Sequence, residues 1–420
     1  MFSRWPVVYS LFILIISLGI LVSQRKIIST IQWTEVLFIP KKTKPVKILP
    51  LTGLFRSLML STTICILAVD FPIFHRKFAK NTEYGISLMD TGVGAFIALN
   101  GILSPEARNP LSNDRYLLNK TLFSSAPLVL IGFARMISLR ITNYNYNVSE
   151  YGVHWNFFVT VAMVKIICCL LNCKLIRRIK INSIGFSLVI MIGYQTALSC
   201  GLSTFLLDQE SRGNLFSANK EGICSVIGFI PLYLVSVSIG RYLYNKRRTG
   251  KSVDLVIMAC LGGVICLVSG VASNLCHLFI QEVSRRQTNA AYILWILCLY
   301  SLLLSAECIL VLMIEFMQSV GLLQQNEPCQ PILSTCLDSN SLVIFLLANL
   351  LTGAVNLTSN TMEAGIVQSL SILVIYSTTL SLVSFGLKSN KIDVRIRENI
   401  FDIIREKVSL LRGRPTIKTK

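Results

Sequence analysis

The sequence predicts an all-α fold, a polytopic membrane helix bundle. Three observations carry that prediction. Hydrophobic residues make up 53% of the 420 positions and charged residues only 15%, where soluble chains carry about a quarter charged. Mean hydropathy is +0.63. The apolar residues also gather into eleven runs, most of them about 17–25 residues long, enough to cross a bilayer. Backbone groups in lipid must be paired within their own segment, so each run is expected to be a helix.

The runs are 6–23, 56–73, 85–103, 121–139, 155–173, 183–206, 223–243, 253–279, 290–314, 341–357 and 367–387. The first has a basic flank, Arg25-Lys26, and no small-residue cleavage site, so it reads as an anchor rather than a cleaved signal. The second ends beside Asp70 in AVDFP, where an Asp–Arg pair is expected. The third carries Asp90 near its middle, followed by Gly92, Gly94 and Gly101. The fourth holds Arg135 and the ninth Glu307, both expected to face the bundle interior with a partner. The fifth opens at Trp155, a residue type of the membrane interface. Lys165 in the fifth and Arg241 in the seventh lie near span ends and are read as snorkelling. Together the runs define a single membrane domain, 1–387, and a basic tail, 388–420. The tail reads either as an amphipathic helix on an anionic leaflet or as a partly disordered segment.

The formal charge of +19 raises the question of nucleic acid, which the placement of the charges answers. With loops assigned to alternating sides, most of the 40 Lys and Arg fall on one side. That is the positive-inside pattern, and it sets the N-terminus outside and the C-terminus in the cytosol. Two places break it. HRKFAK contributes Arg76, Lys77 and Lys80, and a later loop contributes Arg285 and Arg286. Either an anionic headgroup phosphate recruits these cations, or a few charges in one short loop carry no meaning, or a span is miscounted.

The 13 cysteines show no C-x-x-C pair and no ligand spacing beside the three histidines, so no metal site is expected. No phosphate loop, dinucleotide fingerprint or nucleophile elbow occurs. The absence of a strong internal repeat weighs against common transporter architectures. Sequons occur at Asn119, Asn147 and Asn356, and only Asn147 falls in an outside loop.

Two places carry the residues for chemistry. An ionisable group at bilayer depth marks a functional site by default, so Asp90 leads. Its alternative reading is a structural pair with Arg135 or Lys165. In SEYGVHWNFF, Glu150 and His154 are i,i+4 neighbours if the segment is helical. They read either as an oriented general base or as a satisfied interfacial pair.

Taken together, AVDFPIFHRKFAKNTEYGISLMDTGVGAF (68–96), SEYGVHWNFF (149–158), NKEGICSVIGFIPLYL (219–234), QEVSRRQTNAAYILWI (281–296) and FLLANLLTGAVNLTSNTM (345–362) resemble, in order, one family. It is the glucosaminyl-phosphatidylinositol inositol acyltransferase family of GPI-anchor biosynthesis, the GPI-anchored wall transfer protein/PIG-W family. The resemblance runs from about Leu60 to about Leu387. It departs in two places. The family usually has more hydrophobic segments before AVDFP, where one is legible here. Its D-T-x-H pattern is replaced by Asn360 and Glu363.

The resemblance implies a multi-pass endoplasmic reticulum enzyme with a lumenal N-terminus and a cytosolic C-terminus. It would move a fatty acyl chain, usually palmitoyl, from acyl-CoA to an inositol hydroxyl of glucosaminyl-phosphatidylinositol. Acyl-CoA is then a co-substrate and no cofactor is needed. A thioester is already activated, so direct attack by the hydroxyl suffices once a base and an oxyanion partner are present. Asp90 is the first choice of base and His154 the second. Arg76, Lys77 and Lys80 would hold the lipid phosphate. Gly92 and Gly94 would leave room for substrate. Glu150 would orient His154, and Asn156 or Arg135 would polarise the carbonyl. A lipid or solute transporter, or a non-catalytic scaffold of a glycolipid pathway, is the competing reading of the same spans.

Overall fold

A computed structural model of the chain describes residues 49–110, 112–141, 148–176, 182–208, 212–247, 252–319, 336, 340–390 and 392. The regular structure among them is helical. Ten helices of 12 residues or more carry it. They are α1 (Leu49–Ala68), α2 (Thr91–Ile102), α3 (Asp114–Ile141), α4 (Phe157–Leu171), α5 (Ser183–Ala197), α6 (Lys220–Arg247), α7 (Ser252–Phe279), α8 (Ala290–Ser319), α9 (Ser341–Thr358) and α10 (Ile366–Ser389).

Seven stretches are long and apolar enough to cross a membrane: Asp114–Ile141, Ser183–Leu207, Lys220–Asn245, Asp254–Phe279, Ala290–Ile314, Ser341–Thr358 and Ile366–Ser389. The expectation of about eleven is therefore not met among the described residues. Run 6–23 lies outside them, as does nearly all of the 388–420 tail. Runs 56–73 and 155–173 form shorter apolar helices, Gly53–Ala68 and Phe157–Leu171. Run 85–103 changes most. Its helix, α2, starts only at Thr91 and has 12 residues. At 1.5 Å per residue it is about 18 Å long against a hydrocarbon core of about 30 Å. Ile86, Leu88 and Met89 give the preceding segment the hydropathy of a span, but it is a turn built on Gly85 and Ser87. Asp90 stands at the N-cap position of α2, its side chain making no bond to the helix end, rather than mid-span.

Caps mark several starts. The Asn156 side chain accepts from the N–H groups of Phe158 and Val159 at the head of α4, and Asn182 accepts from Ile184 at the head of α5. Each satisfies helix-end donors that would otherwise be orphaned. Past Ala197, α5 runs through a π-helical turn, Leu198–Leu202, into a last turn, Ser203–Leu207.

α6 is the central post. Phe229, Leu232, Tyr233, Leu234 and Val237 on it are buried against Ile97, Ala98 and Ile102 of α2, Val161 and Val164 of α4 and Tyr292 and Ile296 of α8. Small residues bring α2 close. A Cβ on Gly101 would stand 2.7 Å from the Tyr233 carbonyl, and one on Gly94 2.7 Å from Ile296. Such contacts let apolar helices pack backbone to backbone. A second core joins Leu67 and Phe71, at and beyond the end of α1, with Ile344 and Ala348 of α9 and Tyr376 and Leu380 of α10. Segments 69–90, 148–156, 212–219 and 280–289 meet at one end of the bundle, the loop end.

Candidate active site: paired charges at the loop end

Segment 280–289 joins α7 to α8 and is unusually buried for a loop. Ser284, Gln287, Thr288 and Asn289 have no exposed surface. A buried loop must find partners for its backbone and side chains. Here Gly85 N donates to the Val283 carbonyl at 2.8 Å, and the Ser284 hydroxyl donates to the Glu83 carbonyl. Asn289 accepts from Ser284 N and Tyr292 N and donates to the Glu282 carbonyl. Thr288 has φ of 52°, a left-handed conformation that is costly for a β-branched residue. Strain of that kind persists where the surroundings impose it, and it gathers at functional sites.

The loop delivers two adjacent arginines to two different carboxylates. Arg285 Nε donates to Asp90 Oδ1 at 2.9 Å, and its Nη1 lies 3.0 Å from Glu150 Oε1. Lys80 Nζ reaches the same Glu150 oxygen at 2.7 Å. Arg286 instead turns to Glu221 at 3.3 Å, which Arg212 also engages at 2.7 Å. The result is a sequence of alternating charges, Asp90–Arg285–Glu150–Lys80, backed by a second set, Arg212–Glu221–Arg286.

Asp90 has no exposed surface. Its Oδ2 accepts from the Ser87 hydroxyl at 2.7 Å, from Asn81 Nδ2 at 2.8 Å and from Asn81 N at 3.3 Å. The Tyr292 hydroxyl donates to its carbonyl oxygen at 2.8 Å, tying α2 to α8. Gly85 makes the Asn81 contact feasible. Its φ is +128°, and a Cβ there would stand 2.9 Å from the Asn81 side chain. A cavity of about 50 Å³ opens beside this network, lined by Lys80, Asn81, Thr82, Ser149, Glu150, Arg285 and Arg286. Burial pushes the Glu150 carboxyl up, but Arg285 and Lys80, with help from Arg135, outweigh it and hold the group down at about 2. Burial, reinforced by Glu150, drives the Tyr151 hydroxyl upward, so it stays protonated.

The structure brings Asp90, Glu150 and Lys80 together and sends other expected residues elsewhere. His154 does not pair with Glu150. Residues 148–150 form a single 3-10 turn, and Gly152 follows with φ of 109°, so no helical face joins them. His154 Nδ1 lies 3.0 Å from Arg140 Nη2, and its backbone N–H donates to Asn219. Asn156 spends its side chain on the α4 cap and on the Gly132 carbonyl, 2.9 Å away, rather than on a substrate carbonyl. Arg135 is exposed rather than turned into the bundle, and acts on Glu150 only through its field.

In the basic loop, Arg76 donates to the Val69 carbonyl at 3.0 Å and contacts Met362, and the Lys77 ammonium lies 5.1 Å from the Phe78 ring centre. Only Lys80 of the three lines the cavity. Gly94 is filled by Ile296, so it serves helix packing, whereas Gly92 faces open space. Asp70 accepts from Asn356 at 2.8 Å, and the expected arginine, Arg76, acts on it through its field rather than a hydrogen bond. Lys165 and Arg241 do not snorkel. Lys165 is buried and donates to Ser124, and Arg241 donates to Asn172 and to the Glu106 carbonyl. Sequence reasoning missed Asn81, Ser87, Glu221 and Tyr292 entirely. It did flag Arg285 and Arg286, as cations on the unexpected side.

The family model described as GWT1 matches residues 1–387. The chain belongs to the GWT1 family. Curated GWT1-family relatives agree. A GPI-anchored wall transfer protein 1 of Yarrowia lipolytica is 34% identical over 370 residues, covering 83% of this chain and 74% of the relative. The glucosaminyl-phosphatidylinositol-acyltransferase PIGW of Mus musculus is 33% identical over 359 residues, 78% of this chain and 70% of the relative. An uncharacterized protein of Arabidopsis thaliana is 36% identical over 336 residues, 78% and 70%.

Proposed function

We propose that this chain is a membrane O-acyltransferase of GPI-anchor biosynthesis, moving a fatty acyl chain, palmitoyl in the reading from sequence, from acyl-CoA to an inositol hydroxyl of glucosaminyl-phosphatidylinositol. The names of its relatives support the reaction class and acceptor. The observation that carries the reading to particular residues is the Asp90–Arg285–Glu150–Lys80 array beside a cavity. The site would work in the endoplasmic reticulum membrane with the loop end toward the lumen, as the charge distribution suggests.

Asn81 stands between the cavity and the base. It lines the cavity and donates to Asp90 Oδ2. In the proposed step an inositol hydroxyl takes the place of that neutral donor on Oδ2, while Arg285 stays on Oδ1. The hydroxyl oxygen attacks the thioester carbonyl carbon. A C–O bond forms, the hydroxyl proton passes to Asp90, and the C–S bond breaks. The proton leaves Asp90 for the departing thiolate, which restores the carboxylate. Lys80, the most exposed cation of the array, stabilises negative charge on the carbonyl oxygen or the lipid phosphate. One such donor is worth about 10²–10³ in rate. Arg285 is a positioning residue, held by two carboxylates.

The test is expression in cells lacking the inositol acyltransferase, with glucosaminyl-phosphatidylinositol assayed for an added acyl chain. Wild-type rescue with loss in the Asp90→Asn variant supports the reading. A well-expressed wild-type chain that leaves the glycolipid unacylated contradicts it.

A further inference from the structure

α7 and α8 form a closely packed hairpin whose contacts recur every seven residues. Ala259, Cys266 and Ser273 of α7 face Ser305, Cys298 and Ala291 of α8 in antiparallel register. A seven-residue repeat keeps one seam of each helix turned to the other. The Ser273 hydroxyl donates to the Ala291 carbonyl at 2.8 Å, and the Ser305 hydroxyl donates to the Ala259 carbonyl at 2.8 Å. A short side chain reaches the facing backbone only where two helices approach closely. The glycines agree. A Cβ on Gly262 would stand 3.0 Å from the Ser301 carbonyl oxygen, and one on Gly270 3.1 Å from Cys298 Sγ.

The middle layer differs from the two that flank it. Cys266 Sγ and Cys298 Sγ lie 3.5 Å apart. Thiols are weak donors and weak acceptors, so this layer gains little from hydrogen bonding. What sulfur adds there is redox reactivity. Both cysteines are partly exposed. Val264, Leu267 and Val268, their neighbours along α7, are exposed and apolar. Cys298 is eight residues into α8, about 12 Å from the loop end at 1.5 Å per residue. That level falls within a hydrocarbon core about 30 Å thick. The pair therefore opens toward lipid, and a reagent that reaches it must dissolve in the bilayer.

We propose that Cys266 and Cys298 form an oxidation site, where a lipid hydroperoxide converts the two thiols to a disulfide that joins α7 to α8 beneath the 280–289 loop. One sulfur attacks the peroxide, the O–O bond breaks, and a sulfenic acid forms as the lipid alcohol leaves. The second sulfur attacks the first, the S–S bond forms, and water leaves. The thiols give up two electrons and two protons, and the hydroperoxide becomes an alcohol and water. The sulfurs close from 3.5 Å to about 2.05 Å. The serine bonds seven residues to either side already hold them opposite each other. The link would tie the two stems of the loop that presents Arg285 and Arg286, and the pair itself lies outside the acyl-transfer site.

The experiment uses the full-length chain in phospholipid vesicles and cumene hydroperoxide, a peroxide that partitions into the bilayer. Free thiols are alkylated after denaturation without reductant, and the peptides are mapped by mass spectrometry. The expected product is one intrachain pair joined through Cys266 and Cys298, while Cys260, exposed on the same helix, remains a single alkylated thiol. The half-life of the oxidised chain against thermal unfolding should be about threefold longer than that of the reduced chain. Cys298→Ser should stop Cys266 at the sulfenic acid, trapped by dimedone, and remove the gain in half-life. The wild-type peptide map decides even where that variant does not accumulate. Both thiols still free after peroxide, or a link to Cys260 or between chains in place of this one, would overturn the proposal, as would a disulfide that leaves the half-life unchanged.

Discussion

The two ends of the bundle both hold buried charges and handle them differently. At the loop end the charges alternate in sign and touch directly, from Asp90 through Arg285 and Glu150 to Lys80. At the other end Glu106 and Lys165 are also buried, but neutral groups tie them in place. Lys165 donates to Ser124 at 3.1 Å, and Glu106 Oε1 accepts from Thr121 at 3.4 Å. Glu106 Oε2, Ser125 Oγ and Asn172 Nδ2 find no hydrogen-bond partner among the described residues. The cavity lies beside the first set and not the second. A charge array that is internally neutralised, rigidly held and next to a cavity is prepared for a reacting group. Isolated charges bonded to hydroxyls, amides and helix-end carbonyls instead fasten helices together. Depth in the bundle alone does not mark the site.

Substitutions at the two ends should separate along that line. Asp90→Asn carries the largest expected effect, a loss of acyl transfer of at least 100-fold with normal membrane expression. Lys80→Met comes next, about 10–100-fold in kcat/KM, because it removes the accessible cation and leaves the Asp90–Arg285 bond in place. Glu221→Gln strips Arg286 and Arg212 of their carboxylate, and breaking a buried pair costs about 3–5 kcal/mol. It should lower the melting temperature sharply and activity per folded molecule about tenfold, while Glu221→Asp recovers part of both. Lys165→Met at the opposite end should also lower the melting temperature, yet keep activity per folded molecule within about threefold of wild type.

The smallest effect concerns pH. The Glu150 carboxyl is depressed from the ordinary 4.5 to about 2. A group whose folded value is depressed contributes stability that is complete above the unfolded value and lost as pH falls through the folded one. The Glu150 contribution should therefore be flat above pH 4.5 and fade only as pH drops toward about 2. A Glu150→Gln variant compared with wild type by thermal unfolding across that range checks it. A difference between the two that changes between pH 5 and 8 would contradict the assignment.

Much of the helical layout is legible in hydropathy. The predicted runs 253–279 and 290–314 are the α7 and α8 stretches Asp254–Phe279 and Ala290–Ile314 within a residue, because long unbroken apolar runs admit no other paired backbone in lipid. Run 85–103 misleads because hydropathy averages over side chains and is blind to a turn. Gly85, Ser87 and Asp90 are turn and cap residues set among Ile86, Leu88 and Met89. The Glu150–His154 pairing fails for a local reason that was visible, since Gly152 stands between them and takes a conformation that helices do not use.

The Asp90–Arg285 bond joins residues 195 positions apart. No periodicity in a single chain announces such a contact. The only trace is electrostatic. Cations on the side that the positive-inside pattern leaves poor in them need partners, and Arg285 and Arg286 found carboxylates. Lys80 followed the same rule, whereas Arg76 bonds a carbonyl and a thioether and reaches the Asp70 carboxylate only through its field, and Lys77 lies beside a ring.

The most direct measurement is acyl transfer to glucosaminyl-phosphatidylinositol by purified Asp90→Asn and Lys165→Met chains side by side, each normalised to folded protein. The account predicts at least a 100-fold loss for the first and a change within about threefold for the second. Near-normal transfer by Asp90→Asn, or its abolition by Lys165→Met in a folded chain, would place the chemistry away from the loop end and contradict the account.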